Sequence, residues 1–99
     1  MFERAAFDLN TFLVHVDYAL ARVREELVRA KTKFPAHFHS PHEGYGILLE
    51  EVNEMWDEVK ANNSLAAGQE AMQVAAMAVQ FMIDIGRIGA RASENRDGE

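Results

Sequence analysis

Apolar residues along this chain recur at steps of three and four, the spacing of one helical face, and no stretch alternates as a strand would. Leu13, Val16, Leu20, Val23, Leu27 and Ala30 form one stripe, widened by Phe12 and Ala19, while Arg22, Arg24, Glu25 and Glu26 fall outside it. This predicts a first helix from Asp8 or Asn10, either of which can cap it, to about Lys31, with a core-facing side and a solvated back. Tyr45, Leu48, Val52, Met55, Trp56 and Val59 predict a second helix ending near Lys60. Its start is marked by Ser40 as N-cap, Pro41 at the first position and Glu43 three residues on. Asn62-Asn63-Ser64 breaks the pattern. A third helix is expected from Leu65 or Gly68 to about Ile88, apolar almost all round between Ala71 and Ile85 and therefore central. Gly86 and Gly89 weaken its end. The first two helices are joined by an expected loop, Lys33 to His42, where Pro35 and Pro41 remove backbone donors and His37, His39 and His42 gather.

The chain is thus all-α, with a single helical domain expected over 1–92 and a polar tail over 93–99. At 99 residues, 48% of them apolar, it is a folding chain near the low end of what one core holds together. The net charge of −6 argues against a stable nucleic-acid grip, which needs a basic stripe. It does not exclude nucleotides, because divalent cations can sit between carboxylates and phosphates. Without cysteine there is no disulfide framework, thiolate metal site or cysteine nucleophile, which fits a cytoplasmic protein. Met1-Phe2-Glu3-Arg4-Ala5 carries early charges and no signal-type apolar run. The most apolar stretch, Ala71 to Ile83, is short of the ~20 residues of a membrane span and contains two glutamines.

Candidate chemistry centres on Glu50-Glu51-Val52-Asn53-Glu54. On a helix Glu51 and Glu54 lie about 60° apart and one turn apart in height. Two carboxylates so placed repel each other unless a cation intervenes, and a hard divalent ion such as Mg²⁺ prefers such oxygens. A Glu-rich solvated face, continued by Asp57 and Glu58, is the plainer reading of this segment alone. Glu70 and Gln73 repeat the spacing on the third helix, and Gln80 and Asp84 continue the same edge. Helix capping by Glu70 and hydrogen bonding by the glutamines across an interface explain part of this without metal.

The succession Glu-Glu-x-x-Glu, 15 intervening residues from Met55 to Gln69, then Glu-x-x-Gln resembles the signature of the MazG-like nucleotide pyrophosphatases. The likeness runs from about Pro35 to Ile85 and implies an all-α fold completed as four-helix bundles by self-association. It implies Glu51, Glu54 and Glu70 as ligands of Mg²⁺, with Mn²⁺ as a substitute, and Glu50 and Glu51 as catalytic acids. Gln73 stands where that family usually has aspartate; its oxygen can ligate but brings no charge. The implied activity is hydrolysis of a nucleoside triphosphate to monophosphate and pyrophosphate. Lys31, Lys33, His39 and His42 are then candidates for phosphate contacts, and Phe38, Tyr45 and Trp56 for base stacking. The departure at Gln73 keeps a second expectation open, a weak or inactive helical module that binds nucleotides or partners without turnover.

The greasy third helix leaves more apolar surface than one small domain can cover, so a homodimer or a dimer of dimers is expected.

Overall fold

The structure, a computed structural model, describes residues 6–90. The expectations at Met1 to Ala5, the domain edge at residue 92 and the polar tail lie outside the described residues. Among those residues there are three helices and no strand: α1 Leu9–Lys33, α2 Pro41–Lys60 and α3 Ser64–Asp84.

Each helix end has a local cause. Asp8 caps α1, its carboxylate accepting from the Asn10 N–H at 3.1 Å and the Thr11 hydroxyl at 2.6 Å. Phe7 packs on Phe12 with ring centroids 5.5 Å apart, a hydrophobic staple around that cap. Ser40 caps α2 through the Glu43 N–H at 3.1 Å, and Pro41 opens the helix. Glu43 reaches back to the His39 N–H at 3.4 Å, one residue before the usual capping-box partner. α2 ends in a Schellman motif: Asn63 N–H donates to Glu58 C=O and Asn62 N–H to Val59 C=O, both at 3.0 Å. Asn62 supplies the left-handed backbone, φ 59°, and the Asn63 side chain then caps α3 by accepting from the Ala66 N–H. α3 stops at Asp84, about four residues short of the expected end, as the chain turns through Arg87 at φ 56°.

α3 is central, packed against both other helices. It runs antiparallel to α2 across the tight turn and parallel to α1. Tyr18 shares a cleft with Leu65, and Ala30 shares a cavity with Met77 further along both helices. At the loop end Phe38 is buried beside Gly44, whose missing side chain is what admits α3. A Cβ there would lie 2.7 Å from the Phe81 ring and 2.9 Å from the Phe38 ring. Ala76 is fully enclosed at the middle of α3.

α1 departs from its expected burial. Val16, Val23, Leu27 and Ala30 are half-buried, but Leu13 and Leu20 are exposed along with Phe12, Val14 and Tyr18. Glu26, expected on the solvated back, is nearly enclosed, its side chain retaining 11% exposure. A 25-residue α1 outruns what α3 can cover, so its first half projects.

Candidate metal centre

α2 and α3 bring three carboxylates together. Glu51, Glu54 and Glu70 each offer an oxygen within 4.8 Å of the others. The antiparallel pairing does this: Glu51 and Glu54 occupy one edge of α2, and Glu70 approaches from the second turn of α3. None of the ion pairs among the described residues involves them. Partial burial, then the neighbouring Glu54 carboxylate, pushes the Glu51 carboxyl up, with Glu70 and Glu50 adding repulsion. Burial and Glu54 push the Glu70 carboxyl up in the same way. An ion held at about 2.1–2.4 Å from each oxygen separates its ligands by at most about 4.2–4.8 Å, so this trio matches a small hard cation.

Gln73 lies one turn beyond Glu70 and lines a cavity together with Glu26 of α1. Arg29 first, then the Gln73 amide, holds the Glu26 carboxyl below its usual range. Arg29 pairs with that carboxylate through two nitrogens, Nε at 3.1 Å and a second, shorter contact. An anionic partner from α1 therefore sits beside the position that lacks a carboxylate.

A cavity of about 390 Å³ runs from Glu51 and Gln73 toward the loop, walled by Phe38, Ile47 and Met77. Lys31 enters its far end. A wider cleft of about 920 Å³ opens on the other side of Gln73, between Tyr18 and Arg22 of α1 and the start of α3.

Above the cavity the loop is clamped to α3. Asp84, its side chain 4% exposed, accepts from the Phe38 N–H at 3.0 Å, Gln80 Nε2 at 3.2 Å and His37 Nδ1 at 3.1 Å. Burial alone would push the Asp84 carboxyl up; these donors outweigh it and hold the carboxyl below the usual range. Gln80 also donates to the Ala36 carbonyl at 3.4 Å.

The remaining expected site residues are scattered. Glu50 is exposed beside the trio, contributing repulsion to Glu51. Lys31 and Phe38 line the cavity; Lys33 instead lies over the Phe34 ring, 5.4 Å from its centroid. His39 and His42 are exposed near the start of α2. Trp56 is exposed with Lys60 over its ring, and Tyr45 is exposed too; neither borders the cavity. Sequence reasoning gave no role to Glu26 or Arg29 and noted His37 only as one of three loop histidines. The available signal was weak: Glu26 sits three residues before Arg29 and one position outside the apolar stripe. Comparison of the chain with protein families, curated proteins and solved structures returns no match.

Proposed function

We propose that this protein is a Mg²⁺-dependent nucleoside triphosphate pyrophosphohydrolase of MazG-like type, acting as a homo-oligomer. The observation that carries the reading is the convergence of Glu51, Glu54 and Glu70, three acids with no cation paired to them among the described residues, the first of which also lines a cavity. Three carboxylates held together raise one another's cost of ionisation, and a divalent ion turns that repulsion into shared ligation. A bound ion supplies charge neutralisation for the phosphates and polarises water. Glu51, Glu54 and Glu70 would hold it, and Glu50, beside them, would orient water from outside the ligand set. Gln73 can offer an amide oxygen but no charge, and the nearest acid of α1, Glu26, is already paired with Arg29.

Pyrophosphate release from a panel of nucleoside triphosphates with Mg²⁺ tests the reading. The expected result is release that disappears in the Glu51→Gln/Glu54→Gln double variant. Release equal in that variant, or none from any triphosphate, removes the enzymatic claim. Nucleotide binding by calorimetry without release would favour the second reading, a binding module, for which the uncharged Gln73 is the motivating residue.

Self-association is the second half of the proposal. The exposed Leu13, Val14, Tyr18 and Leu20 on α1 and the cleft beside them are unsatisfied apolar surface. A helix pair from a second copy fits that need and would complete a four-helix bundle.

A further inference from the structure

One basic side chain lining the cavity, Lys31, has no hydrogen-bond or ion-pair partner among the described residues. Lys31 Nζ is cut off from solvent and has no hydrogen-bond partner. None of the ion pairs among the described residues includes it. The other cation lining this cavity, Arg29, is taken up by Glu26. A lysine amine carries donors that the described residues leave unused, and a ligand entering the cavity can supply the acceptor. The Lys31 stem lines the cavity, so a turn of the side chain brings the covered Nζ to a ligand oxygen there.

Its height along the bundle indicates which part of a ligand that is. Glu26 of α1 lies level with Gln73 of α3, the two lining one cavity and the Gln73 side chain helping to hold the Glu26 carboxyl low. Lys31 is five residues further along α1, while Glu70 is three residues back along α3. At 1.5 Å per residue the backbone of Lys31 and the carboxylate trio are about 12 Å apart along the axis. The cavity spans that interval, from Glu51 to Lys31, between apolar walls from Phe38, Ile47 and Met77. A nucleotide whose phosphates stay with the trio would lay its sugar and base along this path.

We infer that Lys31 reads the nucleobase, its ammonium receiving a carbonyl oxygen on the far edge of the base. The inference rests on the nucleotide reading above. An ammonium donates and cannot accept, so a base presenting an exocyclic amino group at that point leaves two donors facing each other in desolvated space. Bases with a keto oxygen there (uracil, thymine, guanine) are therefore favoured over adenine and cytosine. The pairing is the one lysine makes with guanine O6 elsewhere.

Calorimetric titration of the full chain, with Ca²⁺ in place of Mg²⁺ to slow turnover, tests this with dUTP, dTTP, dGTP, dATP, dCTP and inorganic pyrophosphate. The wild type should bind the keto-base nucleotides roughly tenfold more tightly than dATP and dCTP. Lys31→Met should remove that preference, leave pyrophosphate affinity unchanged, and not lower the melting temperature, since an unpaired buried charge is lost. Lys31→Gln, carrying both donor and acceptor, should narrow the preference without abolishing binding. No base preference in the wild type overturns the inference. So does an equal loss of pyrophosphate and of all nucleotides in Lys31→Met, which would assign Lys31 to the phosphates. Failure of every nucleotide and of pyrophosphate to bind the wild type refutes the nucleotide reading, and this inference with it.

Discussion

Gly44 and Gly68 both sit inside helices, and alanine should affect them oppositely. At Gly44 the added carbon meets the Phe81 and Phe38 rings, and Phe38 is buried, so Gly44→Ala should cost about 1–3 kcal/mol despite its better helix propensity. At Gly68 nothing lies within 4 Å, and Gly68→Ala should gain up to about 1 kcal/mol. Urea melts of the two variants check both signs. Glu51 is the other informative residue. Its carboxyl and that of Glu70 are pushed above the usual range, so the folded chain binds their protons more tightly than the unfolded chain does. The metal-free protein should gain stability from these two as pH falls from ~7 through their raised values. Glu26 and Asp84 are held low and act the other way: their contribution is present above the usual carboxylate range and is lost as pH falls through their lowered values. Melting temperature without metal should therefore peak in mild acid, and Glu51→Gln should flatten the approach to that peak from neutral pH. A melting temperature that falls steadily from neutral pH downward would contradict this. The acids were legible in sequence because their i, i+3 spacing is visible without a structure. The Glu26 pairing was not, because one position on a helix decides whether a side chain faces solvent or a neighbour.

At the scale of elements, the turn between α2 and α3 and the clamp on the loop hold α3 at both ends. Asn62 is left-handed within a Schellman motif, so Asn62→Gly should be tolerated and Asn62→Val should cost about 1–2 kcal/mol. Asp84→Asn keeps the shape but cannot accept from all three donors. It should cost about 1–3 kcal/mol and speed amide exchange at Phe38, read by hydrogen exchange. Both α2 boundaries and the Asp8 cap were readable from single residues with one strong preference each. The early end of α3 was not: apolar periodicity continues through Ile85 and Ile88, and what stops the helix is a backbone turn at Arg87 that no residue type announces. The loop's histidines stood out in sequence, but only packing reveals that His37 alone meets a buried acid.

For the whole molecule, shape carries the information. The radius of gyration is 16.8 Å, against about 13 Å for a compact domain of this length. Among the described residues no large side chain is fully buried, and Leu13, Val14, Tyr18 and Leu20 of α1 are exposed. Such a chain gains stability by covering that surface, so sedimentation should give a dimer or larger species at micromolar concentration. Leu13→Glu with Leu20→Glu should shift it toward monomer. A stable wild-type monomer would contradict this. The expectation of a partner rested on the all-round apolar α3. That α1, and not α3, presents most of the uncovered surface follows from relative helix lengths, which periodicity does not weigh.

The proposed function depends on the trio holding a divalent ion, and a Mn²⁺ titration followed by electron paramagnetic resonance tests that most directly. The account predicts saturable loss of the free-ion signal by the wild-type protein, competition by Mg²⁺, and no such binding in Glu51→Gln/Glu54→Gln protein that remains helical by circular dichroism. Binding that survives in the double variant, or none in the wild type, would contradict it.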